Sequence, residues 1–455
     1  GLLPSTAMTT AAVSLEISHR KVWMLAGPII LSNISVPLVG AVDTAVVGHL
    51  PGPEYIGAVA LGALIFSFLY WGFGFLRMGT TGFIAQAYGA GDWNALADTL
   101  IRVLLLALLL GAITILLASP LIRLVFLLID SSARVEGLAG DYAVIRIWSA
   151  PAVLSVYAFT GIFIGMHNTR AAFALQLILN LSNVLLDLLF VLGFDWGVQG
   201  VALASVIAEY LAMLTGFYLL RHQISNARSR YDRNRLFDRT ALLKLFTANS
   251  NIFVRTLCLL FAFSYFTAKS AGQGEVILAA NAILLHMQSI VAYGLDGFAH
   301  AAEALAGSAY GAGKLRAFRR AVVFTSAWAV VVAVLMALVY WLFGATIIGL
   351  FTSIDPVVDS ALHYLPWVIA APILSVWSFQ LDGIFIGSGH TREMRNAMIV
   401  SLLFYLALLH FTIDAFGNHG LFLGLMAFML MRALSLLFYF RGIETSIRRH
   451  QPVSR

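Results

Sequence analysis

Twelve times along this chain an apolar run continues for twenty or more residues with scarcely a charge, and that feature leaves few folds open. The runs cover roughly 23–50, 55–87, 95–128, 137–165, 171–194, 197–221, 242–270, 276–309, 317–350, 358–387, 394–415 and 420–441. A membrane-spanning helix needs ~20 apolar residues. In lipid the backbone must satisfy its own N–H and C=O groups, which only helices and closed barrels achieve. The runs lack the apolar–polar alternation of barrel strands, so they read as helices. Composition agrees, because 60% of the residues are apolar or aromatic and only 11% are charged. A soluble protein carries about 25% charged residues to cover its surface. The expected fold is an all-α integral membrane protein of twelve transmembrane helices.

The breaks between runs carry turn residues, as in Pro51-Gly52-Pro53, Gly89-Ala90-Gly91-Asp92 and Asp195-Trp196-Gly197. Met8 reads as the initiator, with the first seven residues a leftover of cloning and 1–20 a tail. Cys258 stands alone, so neither an intramolecular disulfide nor a cysteine metal cluster is expected. The net charge of +6 comes from 28 basic and 22 acidic residues and needs no nucleic-acid partner to explain it. Most basic residues fall on one side of the expected topology, among them Arg20, Lys21, Arg102, Arg170, seven in 221–244, and Lys314, Arg316, Arg319 and Arg320. Basic loops stay inside. The expected location is the plasma (inner) membrane, with both termini cytoplasmic.

The chain also repeats itself. Ala87-Tyr88-Gly89-Ala90-Gly91 returns as Ala309-Tyr310-Gly311-Ala312-Gly313, an offset of 222. Gly161-Ile162-Phe163-Ile164-Gly165 returns as Gly383-Ile384-Phe385-Ile386-Gly387 at the same offset of 222, as does Thr169-Arg170 in Thr391-Arg392. Two pseudo-symmetric lobes of six helices follow, an N-lobe over 21–222 and a C-lobe over 242–441, joined by a basic linker over 223–241 and ending in a tail over 442–455. Parallel repeats of this kind are one architecture of alternating-access transporters.

Charges inside the spans are costly enough to mark function. Asp43 lies in span 1 and Asp187 in span 5. Span 5 also presents Asn180 and Asn183, and the spacing sets all three residues on one helical face. Asp43 and Asp187 each stand eight residues before a turn, and Ser205 stands eight after one. At ~1.5 Å per residue the three groups sit ~12 Å below one surface, so they can converge. Their counterparts 222 residues on are Tyr265, Leu409 and Ala427, which confines the carboxylate pair to the first lobe. Two carboxylates in a dry pocket share a proton. Alternatively Na⁺ neutralises them, with Asn183 and Ser205 lending oxygens. Pro28 and Pro37 withhold backbone donors from span 1 and are candidate hinges.

The second lobe embeds Asp296, Glu303 and Asp382, secondary candidates that could draw a cation or pair with Arg77, Arg255 or Arg432. No Walker A lysine and no His-Glu-x-x-His helix occurs, so an ATP-driven pump or a zinc enzyme is not expected, nor any cofactor.

Val42-Asp43-Thr44-Ala45-Val46-Val47-Gly48-His49, the two Ala-Tyr-Gly-Ala-Gly segments, Asp141-Tyr142-Ala143-Val144-Ile145-Arg146, Gly165-Met166-His167-Asn168-Thr169-Arg170 and Leu381-Asp382-Gly383 occur in order. As an ordered set they resemble the multidrug and toxic compound extrusion (MATE) family, in particular its DinF-like branch. The resemblance implies a monomeric, V-shaped antiporter that expels organic cations and amphipathic drugs in exchange for H⁺ or Na⁺. It places the cation site on Asp43, Asn183, Asp187 and Ser205, with a bend at Pro28, and adds Tyr142 and Asp382 as secondary candidates. The favoured expectation is proton-driven drug efflux, not enzyme activity. Sodium coupling is the alternative, and a flippase for lipid-linked precursors is a further one, disfavoured by embedded charges that are largely acidic.

Overall fold

Helix follows helix through the computed structural model, which describes residues 16–47, 53–120, 122–123, 133–224 and 236–450. The first half contains α1 (His19–Val47), α2 (Pro53–Gly72), α3 (Phe75–Ala90), α4 (Trp93–Leu116), α5 (Ala133–Arg146), α6 (Ala150–Gly165), α7 (Thr169–Asp187) and α8 (Gly197–Ile224). The second contains α9 (Arg239–Ala271), α10 (Glu275–Gly311), α11 (Leu315–Phe351), α12 (Asp355–Gly387), α13 (Thr391–Phe416) and α14 (Asn418–His450). Eleven helical spans among the described residues are long and apolar enough to cross a membrane. With 29 residues α1 supplies a twelfth, since its length is ~43 Å. Leu116, Leu350 and Phe438 are 80%, 82% and 82% exposed, an outer surface made for acyl chains.

Two spans expected as single helices, 55–87 and 137–165, are each built from two. In the first, Gly72 and Gly74 flank the break, where glycine gives the weakest helical preference of any ordinary residue. In the second, Pro151 starts α6 and lacks the N–H that would bond four residues back. The chain before it tightens into a 3₁₀ turn over Ile147–Ser149.

The internal repeat reappears in the backbone. Six of the eight positive-φ residues among those described fall in pairs 222 apart: Gly91 (φ 69°) with Gly313 (φ 67°), His167 (φ 61°) with Gly389 (φ 76°), and Asp195 (φ 55°) with Gly417 (φ 54°). Each ends a helix where the next must reverse direction, so the turns are common to both lobes even where their residues differ.

We call the face at which α1 begins and α14 ends the terminal face, and the other the distal face. The lobes meet along their terminal halves, chiefly α3 and α1 against α10, and α3 against α9 and α12. Asn33 Nδ2 donates to the Tyr293 carbonyl at 3.1 Å, Gln86 Nε2 to that of Gly387 at 2.8 Å, and Trp23 meets Phe298 edge-on. His167 Nε2 lies 3.1 Å from the Ala304 carbonyl and 2.9 Å from Ser308 Oγ. Burial, helped by the charge of Lys21, pulls the His167 pKa down to about 4, so its ring is neutral in this seam. The inter-lobe hydrogen bonds, ion pair and ring contacts that can be named run from the terminal face to mid-span, where Arg77 meets Glu303 and Phe75 meets Phe253.

The seam is reciprocal. A Cβ on Gly89 would stand 1.9 Å from the Ser308 carbonyl oxygen, and one on Gly311 would stand 2.1 Å from that of Gln86. Gln86 and Ser308 are themselves 222 apart, so each lobe presents one repeat motif to the other across a pseudo-twofold axis. Only glycine permits backbones this close.

Candidate functional site

The polar face of α7 turns into the first lobe. Asn180, Asn183 and Asp187 are 9%, 7% and 0% exposed, whereas Leu181 and Leu185 on the other side are 56% and 57% exposed. Asn180 accepts from Gln176 Nε2 at 2.8 Å and donates to Ser35 Oγ of α1 at 2.7 Å. Ser35 Oγ donates in turn to the Ser32 carbonyl at 2.6 Å. Asn183 Nδ2 donates to Ser205 Oγ of α8 at 3.2 Å. Of the expected residues, Asn180, Asn183 and Asp187 share the buried face of α7, and Asn183 meets Ser205 on α8. Asp43 is on α1, but its side chain lies outside the described residues. Its level follows from backbone register: α1 and α7 run the same way, Asp43 is eight residues beyond Ser35, and Asp187 is seven beyond Asn180.

Asp187 is the last residue of α7, and a π-helical turn over Leu188–Gly193 follows at once. Such turns widen the helix by one residue and recur at functional positions. Pro28 and Pro37 both lie inside α1, which continues through them.

Beside this set stands a cluster that the sequence reading passed over. Arg146 Nη2 of α5 reaches Glu209 Oε1 of α8 at 3.5 Å, with side chains 12% and 11% exposed. Its Nη1 donates to Ser149 Oγ, and its guanidinium lies over the rings of Phe66 and Tyr70 at 5.8 and 5.6 Å. Ser149 donates to the Arg146 carbonyl at 2.8 Å, so Tyr70 Oη must be the donor in its 3.0 Å contact with Ser149 Oγ. Tyr142 is buried one turn from Arg146 and against it. A signal was present: Glu209 is four residues beyond Ser205, on the same face of span 6.

In the second lobe the acids are held differently. Asp382 Oδ2 accepts from Arg432 Nη2 at 2.5 Å and also from Arg255 Nη2. Glu303, 1% exposed, meets Arg77 of the first lobe at 3.3 Å across the seam. Of the two readings the sequence left open, cation attraction or pairing with arginine, these two residues display the pairing. Asp296 is half-buried and within electrostatic reach of Arg77, Arg255 and Arg432.

The MatE family model matches this chain over residues 28–189 and 252–411, one stretch in each lobe. The chain belongs to the MatE family. Its relatives include the DNA damage-inducible protein F of Escherichia coli K12, 42% identical over 93% of this chain and 92% of that one. The chloroplastic DETOXIFICATION 44 of Arabidopsis thaliana is 28% identical, over 91% of this chain and 81% of its own length. Among solved structures, the outward-facing conformation of a multidrug resistance MATE family transporter superposes with a TM-score of 0.87 at 20% identity, covering 96% of this chain and 99% of that one. A transporter of the MOP superfamily from Pyrococcus furiosus gives 0.86 at 19% identity, over 97% and 99%. At such identities the structures establish the fold. The MatE membership makes this chain a membrane transporter for multidrug and toxic compound efflux, in a family that works without a cofactor.

The MatE second lobe offers a stability test. Arg255 and Arg432 are 8% and 3% exposed, so Asp382→Asn would strand two buried guanidiniums. Breaking a buried ion pair in this way costs ~3–5 kcal/mol. Thermal unfolding of the purified protein is expected to show a marked drop for Asp382→Asn. Glu444→Gln, which breaks the exposed pair with Arg319, should show little change.

Proposed function

We propose that this transporter exports organic cations and other amphipathic compounds in exchange for protons, with the coupling proton held in the first lobe by Asp43 and Asp187. The observation that carries the reading is the inward polar face of α7, whose amides are fastened to Ser35 on α1 and Ser205 on α8. That framework orients groups around Asp187, which is fully buried. Buried carboxylates favour a bound proton over bare charge, and they give it up when the surroundings hydrate.

The second lobe supports the same assignment by contrast. Asp382 already faces two guanidiniums and has no net negative charge to offer a cation. The basic residues Arg20, Lys21, Arg102 and Arg170 cluster toward the terminal face, which we orient to the cytoplasm. We take the space between the distal halves of the lobes as the substrate cleft, which then faces outward. In this scheme substrate leaves through that cleft as protons load Asp43 and Asp187, and closing the cleft opens the glycine seam to return protons inward. On α1, Pro28 lies within the seam and Pro37 between the seam and Asp43, where a change of charge can be converted into a change of helix path.

Purified protein in liposomes, holding a fluorescent organic cation, tests the reading under an imposed pH gradient with and without a Na⁺ gradient. Efflux driven by the pH gradient alone is expected. A requirement for Na⁺ would overturn proton coupling and pass Asp43, Asn183 and Asp187 to sodium. Indifference to both gradients would overturn antiport itself.

A further inference from the structure

We propose that the buried Arg146–Glu209 pair is a positioning pair: its charges set the pH at which the first-lobe proton site loads, acting through space on Asp187 and Asp43. The inference rests on the proton reading given above. Burying an ion pair is a poor way to stabilise a fold, because well-packed apolar residues do as well or better. Its place in the lobe gives it another use.

Asn183 and Ser205 join α7 to α8, which run in opposite directions. From that link Asp187 is one turn toward the distal face, and Glu209 is one turn toward the terminal face. Two turns separate the carboxylates, ~11 Å along the lobe. Around Glu209 the helices packed on α8 bring Arg146 on α5, its ion-pair partner, with Tyr142 against that arginine, and the phenols of Tyr70 on α2 and Tyr157 on α6, while α7 carries Asp187 and α1 carries Asp43 in its backbone. Arg146 is the cation among the described members of this group, and it cannot swing away. Ser149 holds one arm, and the rings of Phe66 and Tyr70 flank the guanidinium. The pair is thus a fixed plus and minus in a low-dielectric lobe. While both charges are present they nearly cancel at the proton site. Remove one, and the other acts on Asp187 and Asp43 undiminished.

The signs follow from charge alone. Glu209→Gln leaves Arg146 unopposed, which favours ionised aspartates and moves half-maximal proton-driven efflux to lower pH. Arg146→Gln leaves Glu209 unopposed and, over the pH range in which Glu209 is ionised, moves it to higher pH. A unit charge at ~11 Å with an effective dielectric of ~20 shifts a titration by about one pH unit. The double variant Arg146→Gln/Glu209→Gln should return to the wild-type midpoint, and Glu209→Asp, which keeps the charge, should never leave it.

The measurement is the pH profile of efflux from proteoliposomes for these variants beside Asp187→Asn. A role confined to packing would lower every rate without moving any midpoint, and that result would overturn the inference. Each single variant is read against wild type, so failure of one to fold leaves the other and the double variant to decide. If Asp187→Asn removes the pH dependence while both single variants keep the wild-type midpoint, the pair has no such role and the proton reading survives. If Glu209→Gln removes the pH dependence and Asp187→Asn does not, the proton reading falls.

Discussion

Asp187→Asn is expected to reduce proton-driven efflux to that of liposomes without protein, while the purified variant unfolds at an unchanged temperature. The two outcomes belong together because asparagine is nearly isosteric with a protonated aspartate but cannot release a proton. At 0% exposure the side chain is enclosed by the lobe, and an amide of the same shape fits the position. What the amide lacks is the second protonation state. A carrier fixed in one state can bind substrate yet has no means of converting a pH gradient into directed transport. Binding of a fluorescent organic cation to the detergent-solubilised variant should therefore persist, and should lose the pH dependence of the wild type. Full gradient-driven efflux from Asp187→Asn would move the search to Glu209 and Asp296. Glu209 meets one guanidinium where Asp382 meets two, and Asp296 is half-buried.

Why Asp187 could be found in the sequence and Glu209 was not comes down to the range over which each signal acts. Asn180, Asn183 and Asp187 share one helix, and their spacing alone fixes a common face. Their depth required only counting to the next turn, and the offset of 222 showed that the second lobe lacks them. The twelve runs and the two lobes were legible for the same reason, since lipid demands length and apolarity from each span separately. The Arg146–Glu209 pair joins residues 63 positions apart. Whether they meet depends on how α5 is rotated against α8, and that rotation depends on the 3₁₀ turn over Ile147–Ser149. Spans 2 and 4 likewise read as unbroken because hydropathy does not register a break that stays apolar. The arginines on Asp382 come from α9 and α14, so a list of embedded charges could name the candidates but not choose between them.

Gly89→Leu is expected to abolish export in cells by holding the terminal seam open. The first atom added at Gly89 would lie 1.9 Å from the Ser308 carbonyl oxygen, and real contacts of a Cβ are not found under 3.0 Å. The obstacle is the backbone of α10, which cannot turn aside as a side chain could. Relief requires the lobes to separate where they now touch, and Gly311 against Gln86 must part with them because both contacts lie about one axis. Overpacking of a tight contact costs ~1–3 kcal/mol and can cost more when backbone must move. Each 1.4 kcal/mol is about tenfold in a two-state population, so the closed seam becomes the minor state. A cysteine in place of Ala85, buried in the seam, reports the change in a background with Cys258 replaced by serine. Maleimide labelling of this position should be slow beside Gly89 and fast beside Gly89→Leu. Gly89→Ala should give an intermediate rate, and Gly89→Ala with Gly311→Ala a faster one. Gly27→Ala is the control, because nothing stands within 4 Å of a Cβ there. Slow labelling and full export in Gly89→Leu would mean that the lobes close on some other contact. The reciprocal placement of Gly89 and Gly311 argues otherwise, because a joint that must open and shut about a pseudo-twofold axis needs its smallest residues on that axis.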